Sequence, residues 1–257
     1  MERINDKKPS GVSGRMLRVW GMIFITLGVF GRGILQGKIL GIGTVTGAEL
    51  LEIMNSSNTA MGLASLSLVL QAVETCAVPI FAMLLVEGAL HTSGMKQYTL
   101  RVLGLALIVE IPYNWVITGK LLNFGELNPV FGVLLSLIML WFYQRFGEKS
   151  AKNTAIKAVV TFAAILWAQM LSISFGAPMV ILTAVVWFMR RWPNYRGFVG
   201  AAAAMVCTLI SPFFLAAPMG FLVVHMYNGE PGELSRPVKY LAYPVILLAV
   251  GIVRVLW

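Results

Sequence analysis

Charged residues are scarce in this sequence of 257 residues, of which only 12% are Asp, Glu, Lys or Arg. Soluble domains contain about 25% charged residues, so most of the polar surface that such a domain needs is missing. Hydrophobic residues make up 58% of the chain, and the mean hydropathy is +0.80. These values exclude a soluble globular domain and indicate a protein that crosses the membrane several times.

Cysteine and histidine are also rare, with two residues of each. Cys76 and Cys207 fall within apolar runs, where a free thiol acts as a small hydrophobic group. The sequence contains neither a CxxC pair nor a cluster of metal-ligand residues. We therefore expect neither a disulfide nor a bound metal.

Apolar runs separated by charges, proline and glycine predict the transmembrane helices. The two short runs that meet at Ser211-Pro212 are two crossings, a re-entrant pair or one broken helix. We expect an all-α transmembrane bundle of eight or nine spans in one domain, residues 17–257, after a flexible cytoplasmic tail, residues 1–16. The expected helices lie near residues 17–40, 58–92, 95–118, 128–146, 154–173, 175–190, 197–211, 212–227 and 237–256.

The basic residues favour nine spans and a cytoplasmic N terminus. That arrangement places 16 of the 20 basic residues in cytoplasmic segments, as the positive-inside rule requires. Those 16 are Arg3, Lys7, Lys8, Arg15, Arg18, Lys96, Arg101, Arg145, Lys149, Lys152, Lys157, Arg190, Arg191, Arg196, Arg236 and Lys239. The net charge of +9 is spread over short loops, so we expect contact with membrane lipid and none with nucleic acid.

Acidic residues within the apolar runs are candidate functional residues. Glu110 lies in the middle of a predicted span, where an ionised carboxylate is costly unless it is paired or faces water. We expect it to face the bundle interior, with Asn114 one turn later on the same face. Glu74 is a second intramembrane acid and can pair with Arg32 of the first span.

A third polar group lies at the cytoplasmic end of the second predicted span. Glu87 and His91 stand four residues apart and share one face of a helix. Arg101 begins the next helix on the same side and can pair with Glu87. The group is either a functional site or a clamp that holds the two helices together.

Five sequence fragments resemble the TraX family of bacterial membrane proteins. In chain order they are VPIFAMLLVEGALHT, YTLRVLGLALIVEIPYN, NPVFGVLLSLIMLWFYQR, YNGEPG and VKYLAYPVILL. The resemblance covers residues 17–256 and is clearest between residues 78 and 146. It implies a membrane acyltransferase fold in the bacterial inner membrane, with acetyl-CoA as the acyl donor and an amine or hydroxyl group as the acceptor. The namesake is associated with acetylating the N-terminal amino group of conjugative pilin.

The fragments also supply the candidate site residues. Catalytic candidates are His91, Glu87 and Glu110, since such enzymes use a buried His beside an acid as a general base. Candidates for binding the substrate or the donor are Arg101, Asn114, Asn128, Tyr227 and Asn228.

The sequence departs from the family pattern in three motifs. Gly28, Val29 and Phe30 stand where the family's first helix has Asp-His-Ile. Glu74-Thr75 replaces the Gly-Arg that precedes PIFA. Tyr243-Pro244 is kept, but Ile246 stands in place of the His that follows.

These losses leave three hypotheses open. The first is an acyltransferase with a rearranged site, and the second is a catalytically silent subunit or scaffold for another membrane protein. For the partner we expect another membrane protein or a second copy of the chain in a homo-oligomer. The third is a permease-like transport component, since intramembrane acids and a broken helix also occur in transporters.

Overall fold

The computed structural model describes residues 11–41, 47–123, 125–148, 150–230, 232 and 235–256. Within these ranges the fold is all-helical, and its only β pairings are the isolated bridges Val12–Tyr227 and Leu127–Ile173. The α-helices are α1 (Gly14–Phe30), α2 (Gly47–Ser56), α3 (Asn58–Glu74), α4 (Ala77–His91), α5 (Met95–Thr118), α6 (Val130–Arg145), α7 (Ala151–Met170), α8 (Gly176–Met189), α9 (Pro193–Val206), α10 (Ala217–His225) and α11 (Arg236–Leu256). A π-helix (Gly31–Ile39) continues α1, and 3₁₀ turns span Cys207–Leu209 and Pro212–Ala216.

Several helices have the length and composition of transmembrane segments. Four segments are long and apolar enough to cross a membrane, namely Gly14–Ile39, Asn58–His91, Met95–Thr118 and Ala151–Met170. Four shorter apolar helices are Val130–Arg145, Gly176–Met189, Pro212–His225 and Tyr240–Leu256. The prediction of an all-α membrane protein is confirmed, while the count of eight or nine spans stays a prediction.

The run predicted as one helix over residues 58–92 consists of two helices, α3 and α4. Pro79 has no N–H for the Thr75 carbonyl, which instead accepts from Val78 N at 3.1 Å. The Thr75 hydroxyl donates to the carbonyls of Ala72 and Phe213, at 2.7 and 3.1 Å. The helix therefore breaks at Thr75-Cys76, directly after Glu74.

The two short runs form antiparallel helices, α9 and α10, so they are not one broken helix. Gly197 lies against His225, and Gly200 lies against the ring of Phe221.

The N-terminal segment differs in part from the expected flexible tail over residues 1–16. Residues 1–10 of that tail lie outside the described residues, and helix α1 already begins at Gly14. Helix α2 is an addition that the apolar runs did not predict.

Inter-helix contacts bring many of the basic residues to one end of the bundle. Gln144 Nε2 of α6 donates to the Ala89 carbonyl of α4 at 2.8 Å. Gly232 lies against Arg15 at the start of α1. We call this the basic end, and it carries Arg15, Arg18, His91, Arg101, Arg145 and Arg196. Cys76 and Cys207 are free and buried, as their apolar surroundings predicted.

Candidate functional site

A bidentate ion pair lies inside the bundle between the π-helix and α3. Arg32 Nη2 is 3.0 Å from both Oε1 and Oε2 of Glu74, and the two side chains are only 13% and 3% exposed. Both hydrogen bonds come from the same guanidinium nitrogen, so this is a bifurcated, charge-assisted contact that holds the Glu74 carboxylate against the Arg32 head group. The pairing of Glu74 with Arg32 predicted from the sequence is confirmed.

Two tyrosines and a second acid complete this group, which we call the charged centre. Arg32 Nη1 donates to the Tyr113 hydroxyl at 3.4 Å and lies 3.8 Å from Glu126 Oε1. The Tyr113 hydroxyl donates to Glu126 Oε1 at 2.9 Å. Tyr243 is buried beside them, and its hydroxyl has no hydrogen-bond partner in the described part of the chain. The charged centre therefore consists of Arg32, Glu74, Tyr113, Glu126 and Tyr243.

Local backbone features position the ion pair. Arg32 is the second residue of the π-helix, a rare form of helix that occurs frequently at functional sites. Glu74 is the last residue of α3, where the chain breaks before α4. A Cβ atom on Gly28 would overlap the Glu74 side chain, so only glycine allows this close approach of α1 and α3.

Phe175 packs against the charged centre from the start of α8. The Arg32 guanidinium carbon is 5.4 Å from the centre of the Phe175 ring, within range of a cation–π contact. The Phe175 and Phe214 rings meet edge to face, with centroids 5.8 Å apart. Phe175 has a φ of +54°, a left-handed conformation that is unusual for a bulky residue.

A cavity of about 960 Å³ leads from the basic end to the charged centre. We call it the larger cavity. At the basic end it is lined by Arg18, His91, Tyr98 and Arg101, and at its deep end by Glu74, Phe175 and Tyr243. Apolar side chains of α1, α4, α5 and α11 form most of the wall between these ends.

A cavity of about 240 Å³ touches the charged centre from the other side. This smaller cavity is lined by polar groups of Arg32, Gln71, Glu126, Gln169 and Ser174, and by Phe175 and Phe214. Gln169 lies at the end of α7, and Ile210, also in the wall, follows α9. Both residues are exposed, so the smaller cavity opens at the end of the bundle away from the basic end.

Glu110 faces the bundle interior with Asn114 beside it, as predicted. Glu110 Oε1 accepts from Asn114 Nδ2 at 3.0 Å, and Oε2 accepts from Asn128 Nδ2 at 2.6 Å and Asn128 N at 3.2 Å. Asn128 Nδ2 also donates to the Ala106 carbonyl at 2.9 Å. These three residues tie the segment before α6 into the middle of α5. They are not among the residues that line either cavity.

The group at the basic end differs from the expected clamp. His91 Nδ1 lies 3.5 Å from Glu87 Oε2, and the His91 side chain is 77% exposed. Arg101 does not pair with Glu87 within the described residues, because its Nε donates to the Gln97 carbonyl at 3.2 Å, one turn back on α5. Glu87 lies close enough to Arg196 and Tyr227 for its carboxylate to interact electrostatically with both. The expectation of an Arg101–Glu87 pair was therefore wrong.

Tyr227 and Asn228 hold the N-terminal segment at the basic end. Val12 N donates to the Met226 carbonyl at 2.8 Å, and Asn228 N donates to the Val12 carbonyl at 3.1 Å. Asn228 Oδ1 accepts from Glu230 N at 3.0 Å and closes the turn. Burial raises the pKa of Tyr227, with the nearby Glu87 carboxylate adding to the effect, so this phenol stays neutral at physiological pH.

The apolar helices and the buried ion pair place this chain in the class of helical membrane proteins that enclose charged groups in the bundle. The chain belongs to the TraX protein family, whose sequence profile matches residues 49–254. The predicted family membership is confirmed. Comparison with curated proteins and with solved structures gives no match.

Three residues of the charged centre were missed by sequence reasoning. Tyr113 lies in the EIPYN fragment and Tyr243 in the Tyr-Pro fragment, so both were within the quoted motifs. Glu126 stands two residues before Asn128, in the segment between two predicted helices. The available signal was a tyrosine next to a proline in each of two family fragments, Pro112-Tyr113 and Tyr243-Pro244. That signal does not show that the two tyrosines meet, because the fragments are far apart in the chain.

Proposed function

We propose that this chain is a membrane acyltransferase whose acyl donor occupies the larger cavity, with Glu74 as the general base of the transfer. One observation carries the proposal, namely that the larger cavity joins the basic end to a buried carboxylate and the Tyr243 hydroxyl. Its volume of about 960 Å³ lies at the upper limit of about 300–1,000 Å³ for small-molecule sites.

The walls of the larger cavity match an acyl-CoA donor. Arg18 and Arg101 line its mouth. Their guanidinium groups are suited to bind the phosphates of CoA. The apolar walls suit an extended arm that passes between the helices. This placement brings the acyl group of acetyl-CoA to the deep end, beside Glu74 and Tyr243.

The charged centre has the groups that acyl transfer uses. Glu74 accepts the proton of the acceptor N–H or O–H as the acceptor atom attacks the thioester carbon. The Tyr243 hydroxyl and the Arg32 guanidinium stabilise negative charge on the carbonyl oxygen. The new C–N or C–O bond forms, the C–S bond breaks, and the CoA thiolate takes the proton from Glu74.

Glu74 also accounts for the altered first-helix motif. The resemblance implies an Asp at the position of Gly28, and the Glu74 side chain lies against that position from α3. We propose that Glu74 supplies the carboxylate that Gly28 lacks. The site is then rearranged rather than lost, which favours the enzyme over a silent scaffold.

Radiolabelled acetyl-CoA and a panel of amine and hydroxyl acceptors test this function. Purified protein in proteoliposomes transfers the label, and Glu74→Gln reduces the rate at least 100-fold, as expected for loss of a general base. Tyr243→Phe reduces kcat with little change in KM. Glu52→Gln is the matched control, since Glu52 is an exposed acid on α2. Transfer that persists in Glu74→Gln, or its absence from the wild type with every acceptor, contradicts the proposal.

A further inference from the structure

We infer that the smaller cavity is the acceptor site of this reaction and is entered from the end of the bundle opposite the basic end. The inference rests on the proposed function, because it assigns the second substrate of the same charged centre. The acceptor is a small amine or hydroxyl compound, or the end of a larger molecule that carries one of these groups.

The two cavities meet the same ion pair from opposite sides. The larger cavity includes Glu74 in its wall, and the smaller cavity includes Arg32 and Glu126. Phe175 lines both cavities. A donor in one cavity and an acceptor in the other therefore reach the charged centre by separate routes, and the acceptor atom must pass the Phe175 ring to meet the thioester carbon beside Glu74.

Phe175 is placed to separate the two cavities. Its ring contacts the Arg32 guanidinium and the edge or face of the Phe214 ring. Its backbone is in the left-handed region, with a φ of +54°, at the start of α8. A residue kept in such a conformation is held there by its surroundings, and such residues cluster at functional sites. Phe175 thus divides one passage into two sites.

The smaller cavity favours a neutral or cationic acceptor. The charged centre contains two carboxylates, Glu74 and Glu126, and one guanidinium, Arg32. Its net charge is therefore negative when all three are ionised. A protonated amine offsets this excess when it binds and passes one proton to Glu126, which releases it through the smaller cavity, before the neutral amine attacks. An anionic acceptor increases the excess of negative charge. The volume of about 240 Å³ admits only a small group.

Paired cysteine variants test both the site and its direction of access. Cys76 and Cys207 are first replaced by alanine. Ser174→Cys then marks the smaller cavity, and Thr26→Cys marks the larger one. A membrane-impermeant thiol reagent is applied to right-side-out and inverted vesicles. We expect the two cysteines to react from opposite faces of the membrane, and reaction from the same face overturns the inference.

Ligand protection identifies what each cavity holds. Acetyl-CoA slows modification of Thr26→Cys at least tenfold and leaves Ser174→Cys unchanged. Glycinamide, a small primary amine, slows modification of Ser174→Cys, and Glu126→Gln removes this protection. Acetate is the anionic control and gives no protection. Protection of Thr26→Cys alone by glycinamide, or of neither cysteine, contradicts an acceptor site in the smaller cavity.

Removing the Phe175 ring tests whether this residue separates the larger cavity from the smaller one. In Phe175→Ala, Ser174→Cys becomes reactive from both faces, and Phe175→Leu provides a second variant if the alanine protein does not fold. Two-sided labelling of Ser174→Cys with Phe175 intact indicates a through passage, as in a permease, and overturns the inference.

These labelling experiments require no acetyl transfer, so the failure of one proposal is distinguishable from the failure of the other. Labelling from opposite faces without acetyl transfer removes the enzyme and the acceptor role, and keeps only two cavities that open on opposite faces. Acetyl transfer with both cysteines on one face removes only the second site.

Discussion

Arg32 and Glu74 join the first and second apolar segments through two hydrogen bonds of 3.0 Å, at a point where both side chains are almost fully buried. Burying two ions is costly, and each one depends on the other for compensation. The pair lies at the break between α3 and α4 and at the start of the π-helix. It therefore supports both the packing of these segments and the geometry of the charged centre.

Loss of one partner of this pair destabilises the protein. Arg32→Met leaves the Glu74 carboxylate buried without its counter-ion, and we expect a loss of about 3–5 kcal/mol. The double variant Arg32→Met with Glu74→Leu removes both charges and loses less. Unfolding in detergent, followed by circular dichroism, measures the difference. A double variant less stable than Arg32→Met contradicts this account of the pair.

Gly28 and Glu74 compete for the same space, which predicts a compensating double variant. Gly28→Asp alone places side-chain atoms on Glu74 and yields little folded protein. Gly28→Asp with Glu74→Gly restores the space and moves the carboxylate to α1. The yield of monodisperse protein in gel filtration measures the recovery. Equal yields of the single and double variants show that the overlap is relieved in some other way.

Removing the Glu110 carboxylate leaves two buried amides without an acceptor. Glu110→Ala removes the acceptor of the Asn114 side-chain amide and of the Asn128 backbone N–H, while Asn128 Nδ2 keeps the Ala106 carbonyl. Each unsatisfied buried group costs about 1–3 kcal/mol. We expect a marked fall in the unfolding midpoint, a smaller fall for Glu110→Gln, and no change for Glu52→Ala. If Glu110→Ala unfolds with the wild type, the network does not stabilise the bundle.

The charge bias predicts that the connection between α6 and α7 is cytoplasmic. Lys152 is exposed at the start of α7, so a cysteine there is open to a reagent. In a protein without its native cysteines, Lys152→Cys should resist an impermeant thiol reagent in intact cells and react after lysis. Lys120→Cys, on the exposed turn after α5, is the control and should react in intact cells. Labelling of Lys152→Cys from outside reverses the predicted orientation.

Local rules predicted part of the charged interior. The inward position of Glu110 follows from the cost of an ionised carboxylate in hydrocarbon, which is the same in any bundle. The pairing of Arg32 with Glu74 follows from the same cost, since the two segments are neighbours in sequence. The Arg101–Glu87 pair did not form, because the direction of a side chain on α5 depends on how that helix packs.

The sequence by itself determined that the protein lies in a membrane, that its fold is helical, and that its intramembrane acids must be enclosed or paired. These properties depend on composition, on the length of apolar runs and on the energy of charge in lipid, which are local quantities. Only the tertiary structure decided that Arg32, Tyr113 and Glu126 would meet, and that Tyr243 would lie beside them. It also decided that cavities would reach this group from two sides, because contacts between distant segments depend on helix packing rather than on any local pattern.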